Sequence, residues 1–576
     1  MTLSTLDWII VFSYFTLSLF VGVWASKQAG RDTKSFFLAG RNMPWWLLGV
    51  SMVATTFSTD TPNLVTDLVR QNGVSGNWGW WAFLLTGMLT VFVYAKLWHR
   101  SGVLTDIEFY ELRYSGKAAA FLRGFRALYL GLVFNVLVMG AVSLAAIKFG
   151  EIVLGWPGWL TLTIACSITL SYSTLGGLKA VIITDFVQFI LAMTGSILAM
   201  LYILSLDEIG GLSELLTHIN VVDKLALIPD LSNPDLWVPV LLVPLAVQWW
   251  ASYYPGSEPG GGGYIAQRMF SAKDEQNAVN ATLFFNVAHY ALRPWPWILI
   301  ALSSLVLYPE LSDLQTAFPN LPSDKLGHDV AYPAMLTLLP NGLLGLVAAS
   351  LIAAFMSTMS TQLNLGASYL VNDFYHRFIS PNATEKQLVS MGRLFTVISI
   401  ILGSGLGLLL TSAGQAFNLL LMIGAGTGMI YVLRWFWWRI NAYTEIVAMI
   451  SSLIIAFYFN FINQNYENWE KIVLGSLLTT IVWIAATYFT PPDDDETLRN
   501  FVKKVNPGGP GWAKFSDLKA NEPWPVPNGI LCMILGCISI YSVLLGVGQL
   551  IYGDNIGFGL IGLSLASALG LMRLWK

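Results

Sequence analysis

Stretches of about 20 consecutive, mostly apolar residues recur along the whole chain, beginning with residues 6–25. At about 1.5 Å per residue, a helix of that length crosses a hydrocarbon layer about 30 Å thick, where no water is present to satisfy a broken backbone. An all-α polytopic membrane protein is therefore expected. Composition agrees, because 55% of the residues are hydrophobic and only 11% charged, against about 25% charged in soluble domains.

About fifteen transmembrane helices are expected, near 6–25, 44–68, 77–98, 125–148, 157–175, 181–205, 237–255, 279–308, 343–372, 386–411, 415–438, 441–463, 470–490, 528–549 and 553–573. The first lacks a basic lead and a small-residue cleavage site, so it reads as a retained span rather than a signal peptide. Basic residues crowd alternate loops, with Lys27, Arg31, Lys34 and Arg41 in the first and Arg100, Arg113, Lys117, Arg123 and Arg126 in the third. By the positive-inside rule the N-terminus is expected outside and the C-terminus in the cytoplasm, with Arg70, Lys224, Lys325 and Lys471 among the basic residues outside.

The small net charge of -3 is spread over loops, which gives no nucleic-acid partner a surface to bind. Cys166, Cys532 and Cys537 all lie in apolar runs and read as buried small hydrophobes rather than a disulfide or metal framework. The chain contains no HExxH, GxSxG or Cys/His cluster, so it is not expected to be an enzyme. The oligomeric state is not legible.

Two spans are interrupted. In "VSMVATTFSTDTPNLV", Thr55, Thr56, Ser58, Thr59, Asp60, Thr61 and Pro62 place strong polarity in mid-membrane. Pro62 lacks an amide donor and clashes with the Ser58 carbonyl, so the helical ladder is expected to fail near Ser58 and free the carbonyls of Ala54 and Phe57. In "WWASYYPGSEPGGGGYIAQRMF", Pro255, Pro259 and the glycines from Gly260 to Gly263 stop a second helix, making 255–263 a Pro/Gly-rich break. Paired interruptions point to two inverted five-helix repeats, spans two to six and seven to eleven, with a binding site between them.

Three parts follow: an extra helix and cytoplasmic loop over 1–43, a transport core over 44–438, and accessory helices over 439–576. The last part carries a cytoplasmic loop near 491–527 that is too short for a catalytic domain.

Ser357, Ser360, Thr361 and Asn364 recur at i, i+3, i+4 and i+7, on one helix face. Such hydroxyls either back-bond within their own helix and pack on a neighbour, or join the carbonyls of a broken helix around a hard cation such as sodium. Asp185 lies just inside an apolar span, where a carboxylate is functional by default, a capping or solvated helix end being the alternative. Candidate solute contacts are Asp60, Thr61, Gln248, Trp249, Trp250, Glu258, His289 and Arg293. A buried Arg293 needs a partner, either Glu258 or an anionic substrate. Trp78, Trp80, Trp81, Trp249 and Trp250 offer rings to stack on a sugar, although interface belts and packing account for most of the 23 tryptophans.

Four stretches resemble the sodium:solute symporters, a family that includes bacterial galactose, sialic acid, proline and pantothenate transporters. They are "SFFLAGRNMPWW" (Ser35 to Trp46), "STLGGLKAVIITDFVQ" (Ser173 to Gln188), "YIAQRMFSAKDE" (Tyr264 to Glu275) and "GLVAASLIAAFMSTMSTQLN" (Gly345 to Asn364). The family's motifs extend from roughly the first span to the eleventh. The resemblance implies a LeuT-type 5+5 inverted-repeat core with broken first and sixth core helices, in the cell membrane. It implies Na+-coupled import of a small organic solute, whether sugar, amino acid or carboxylate, by alternating access. It further implies a main sodium site from the carbonyls of Ala54, Phe57 and Ala354 and the hydroxyls of Ser357 and Thr358. Some members carry a second sodium site at positions matching Asp185, Ser357, Ser360 and Thr361, all filled here, so two ions per cycle are expected. Galactose transporters have an acidic residue near Trp80 and a lysine near His289, and both are missing, so the solute is not carried over. The rival reading is a sensor or passive channel on the same fold. A sensor would carry an appended signalling domain, and a channel would conduct without sodium.

Overall fold

A computed structural model describes residues 3–29, 31–58, 60–250, 260–319, 321–410, 426–515, 517–518 and 524–575. Among the described residues the fold is helical, with a single isolated bridge between Met43 and Ala272 as its only β-type pairing. Among the described residues, eleven helices are long and apolar enough to cross a membrane, from Thr5–Lys27 to Ile556–Leu574.

The other expected spans are merged or broken. Gly158–Leu204 is one helical run of 47 residues that takes in two of them, 157–175 and 181–205. It bends at Gly177 (φ 55°, ψ -158°), where a β-carbon would lie 2.6 Å from the Phe36 carbonyl oxygen, so glycine alone fits. The segment near 44–68 appears as Trp45–Thr55 and Asp60–Asn72, two helices either side of a break. The segment near 237–255 begins as one short apolar helix, Pro234–Ala246, and its Pro/Gly-rich end at 251–259 lies outside the described residues. The first part of the segment near 415–438, up to residue 425, also lies outside them.

The centre is the hydroxyl helix Leu343–Ser368, buried along nearly its whole length. It packs on Gly158–Leu204, on the N-terminal helix and on Glu385–Leu409. Its start is capped by Asp7 of the N-terminal helix, whose Oδ1 accepts from the amides of Gly342 and Gly345, both at 2.7 Å. A carboxylate there satisfies orphan amides and meets the positive end of the helix dipole. The contact requires Gly345, because a β-carbon on it would lie 2.3 Å from the Asp7 Cα. Just beyond the helix, Asp373 accepts from Thr105 Oγ1 at 2.5 Å and from Arg123 Nε at 2.8 Å.

The outer helices Ala442–Ile462, Asn468–Phe489, Val526–Ile551 and Ile556–Leu574 keep large apolar side chains exposed, among them Ile454, Phe489, Ile534 and Phe558. So much contiguous apolar surface is stable only against lipid. The stretch near 491–527 is not all loop. Asp495–Val505 is an amphipathic helix that buries Leu498, Phe501, Val502 and Val505, with the Trp512 ring stacked 5.5 Å from that of Phe501.

Candidate functional site

The helix Trp45–Thr55 stops where Pro62 is expected to disturb the ladder, and the chain restarts as a helix at Asp60. Pro62 falls in the first turn of the new helix, where its missing amide would have had no partner anyway. Thr358 of the hydroxyl helix reaches this end, its Oγ1 donating to the Thr55 carbonyl at 2.9 Å. Ser357 Oγ donates to Asp185 Oδ1 at 2.6 Å. Both hydroxyls spend their proton elsewhere and keep lone pairs for a cation. Ala54, Phe57, Ala354, Ser357 and Thr358 are all buried, and the Ala54 carbonyl still accepts from the Phe57 amide at 3.1 Å. Their oxygens are neutral and hard, the donor type that suits sodium.

Asp185 is also drawn in, and its place at the bend-bearing helix is neither solvated nor a cap. Its Oδ2 accepts from Ser51 Oγ at 2.5 Å. Thr361 Oγ1 lies 3.1 Å from Thr55 Oγ1, while Ser360 Oγ donates back to the Ser357 carbonyl at 3.0 Å. Sequence reasoning assigned no role to Arg268, whose Nη2 lies 3.6 Å from Asp185 Oδ2 and 2.8 Å from Thr361 Oγ1.

Beside the junction is a cavity of about 80 Å³. Thr56, Thr61, Trp80, Phe285, Asn286, His289, Tyr290 and Arg293 are among its lining residues. Trp80 stacks on Tyr290 with ring centroids 5.8 Å apart and stands edge-on to His289. His289 Nδ1 meets Arg293 Nη2 at 2.6 Å and Thr56 Oγ1 at 3.0 Å. Arginine can only donate, so Nδ1 accepts and the imidazole hydrogen sits on Nε2. Arg293 Nη1 also donates to the Val53 carbonyl and to Thr56 Oγ1, both at 3.1 Å. Its guanidinium lies over the rings of Phe57 and Trp297. Arg293 therefore braces the end of the broken helix from within. Glu258, one expected partner, lies outside the described residues.

The remaining candidates separate. Asp60 and Thr61 line a smaller cavity of about 10 Å³ at the break itself, together with Ser58, Thr358 and Gln362. Gln248 Nε2 donates to the Gly79 carbonyl at 2.9 Å, and the Trp249 carbonyl accepts from Thr86 Oγ1. Among the described lining residues, neither they nor Trp250 face the larger cavity. The Gln248 amide and the Trp249 carbonyl are committed to the neighbouring helix. Trp78 and Trp81 are buried outside that lining too, Trp78 Nε1 donating to the Leu227 carbonyl.

Asn286 was missed. It is fully buried, its Nδ2 donates to the Thr282 carbonyl at 2.8 Å, and its Oδ1 has no partner among the described residues. A buried acceptor on a cavity wall can take a donor from a ligand or from water. Gly87 makes the space, since a β-carbon there would overlap Asn286 Oδ1. The signal was available, because Asn286, Tyr290 and Arg293 fall at i, i+4 and i+7 on one helix face.

The family model described as the sodium:solute symporter family matches residues 36–454. A sodium/glucose cotransporter of Vibrio parahaemolyticus is 27% identical over 517 residues, covering 86% of this chain and 92% of that protein. A sodium/mannose cotransporter of Bos taurus is 28% identical, covering 79% of this chain and 78% of its own. The solved outward-open, substrate-bound structure of a Na+-coupled sialic acid symporter superposes with a TM-score of 0.68 at 21% identity, over 85% of this chain and 99% of that one. It shares this fold.

Proposed function

The chain belongs to the sodium:solute symporter family, and from that premise we propose that it imports a small organic solute by alternating access of two inverted five-helix repeats. It is a multi-pass membrane protein and Na+ is its coupling ion. The observation that carries the proposal is the junction at the broken helix, where Thr358 meets the Thr55 carbonyl and Ser357 meets Asp185 beside the cavity. In this reading the carbonyls of Ala54, Phe57 and Ala354 and the hydroxyls of Ser357 and Thr358 hold sodium. The ion closes the gap between the broken helix and the hydroxyl helix, and the solute then binds against Trp80, Tyr290 and Asn286. Each 100 mV of membrane potential adds about 2.3 kcal/mol per charge moved inward.

A sugar is the solute class to test first. Relatives named for glucose and mannose support it, as do stacked rings beside an unpaired acceptor. The basic loops support fifteen crossings with the N-terminus outside and the C-terminus in the cytoplasm. The 1–43, 44–438 and 439–576 divisions belong to the same proposal.

The test is uptake into proteoliposomes under an imposed inward sodium gradient, across sugars, amino acids and carboxylates. Concentrative, sodium-dependent uptake of at least one compound is expected. Flux indifferent to sodium would replace symport with a passive channel.

A further inference from the structure

Resting on the sodium-symport reading, we propose that Arg268 is the resident cation of the second site, so that one sodium ion rather than two accompanies each solute. The four residues expected to bind the second ion are gathered, but a guanidinium already lies among them. Arg268 Nη2 donates to Thr361 Oγ1 at 2.8 Å and to Thr55 Oγ1 at 3.3 Å, and lies 3.6 Å from Asp185 Oδ2. Its Nε donates to Ser51 Oγ at 3.2 Å. Asp185, Arg268, Thr361 and Ser51 are all fully buried.

A guanidinium stays charged and offers donors only. It therefore uses the oxygen lone pairs that a sodium ion would need, and supplies the positive charge that Asp185 requires. A sodium ion on Asp185 and Thr361 would sit against that guanidinium with no water between them, where like charges repel strongly. Ser357 Oγ donates to Asp185 Oδ1 and Ser360 Oγ to the Ser357 carbonyl, so it is the guanidinium rather than these hydroxyls that closes the second site.

Arg268 is held in place. Its Nη1 donates to Gln267 Oε1 at 3.1 Å, and Gln267 Nε2 donates to Asn364 Oδ1 at 2.9 Å and to the Phe37 carbonyl at 3.1 Å. Thr358 and the Thr55 carbonyl stand apart from this set, so the main site remains open to its ion. Asp185 and Arg268 neutralise each other, and the pair contributes no coupled charge.

Radiolabelled sodium titrated onto the purified full-length protein, without solute, counts the sites directly. One ion is expected on the wild type and on Arg268→Lys, which keeps the charge, and two on Arg268→Gln, which frees the site. Two ions on the wild type, or one on Arg268→Gln, overturns the resident cation and leaves symport standing. No sodium on the wild type removes both. Should Arg268→Gln fail to fold, the wild-type and Arg268→Lys counts decide, two ions on either overturning the proposal and one on both sustaining it.

Discussion

Thr358 Oγ1 donates to the carbonyl of Thr55, the last residue of the helix Trp45–Thr55, across 2.9 Å. Two elements about 300 residues apart thus meet at a backbone oxygen that an intact helix would have used internally. A cation placed there touches both, which makes its occupancy sensitive to either.

Removing one hydroxyl from this junction is expected to weaken sodium more than folding. Ser357→Ala and Thr358→Ala should each raise the half-saturating sodium concentration about tenfold or more, given about 1–3 kcal/mol for a lost buried polar contact. Thr358→Ser should stay close to wild type. Sodium titration of uptake alongside expression level checks this, and unchanged sodium dependence in both alanine variants would move the ion elsewhere.

Asn286 separates solute from ion. Asn286→Ala is expected to weaken solute about tenfold through loss of one acceptor, at about 1–1.5 kcal/mol, while sodium binding measured without solute is unchanged. An equal loss in both measurements would make Asn286 a packing residue only.

Gly345→Ala tests the capped start of the hydroxyl helix. The added β-carbon meets the Asp7 Cα at 2.3 Å, and overpacking of this kind costs about 1–3 kcal/mol. A clear drop in melting temperature is expected in detergent, with a smaller drop for Asp7→Asn, which keeps the shape. A wild-type melting temperature for Gly345→Ala would mean that the N-terminal helix is free to shift.

Glu111, outside the spans, joins Arg123 at 2.7 Å and Arg377 at 3.0 Å. Burial alone would raise its carboxyl, but hydrogen bonds and charge from Arg377 and Arg123 hold it below the ordinary glutamate range. The folded state then binds this proton more weakly than the unfolded chain does. Its stabilisation is complete above the unfolded pKa and is lost as pH falls through the lower folded value. Melting temperature should therefore decline below about pH 4.3, and Glu111→Gln should decline less steeply over that range. Parallel declines would show that the network contributes nothing.

The features legible in the sequence are those that a few neighbouring residues decide. Pro62 breaks a ladder four residues long, and Ser357, Ser360 and Thr361 share a face by periodicity alone. Arg268 was not legible as the neighbour of Asp185, because 83 residues separate them and only packing joins them. Gln248 and Trp249 had the right chemistry at the expected depth, yet the Gly79 carbonyl takes the Gln248 amide and the Thr86 hydroxyl the Trp249 carbonyl. In the loop near 491–527, prolines and glycines outweighed the i, i+3, i+4, i+7 pattern of Leu498, Phe501, Val502 and Val505 that makes a helix.

The anchoring of the hydroxyl helix divides the molecule along a seam. That helix is tied to the N-terminal helix through Asp7 and, past its end, to Thr105 and Arg123 through Asp373. Across the seam, Trp45–Thr55 is fastened at both ends to Glu275–Leu307, its Trp45 amide donating to Asn277 Oδ1 at 2.9 Å and its Val53 carbonyl accepting from Arg293. Each side is bonded within itself, and side-chain bonds such as Thr358 to the Thr55 carbonyl and Ser51 to Asp185 stitch the two together. Relative sliding of the two units would unpick those stitches without unwinding any helix, so ion release becomes a matter of parting surfaces rather than of local unfolding.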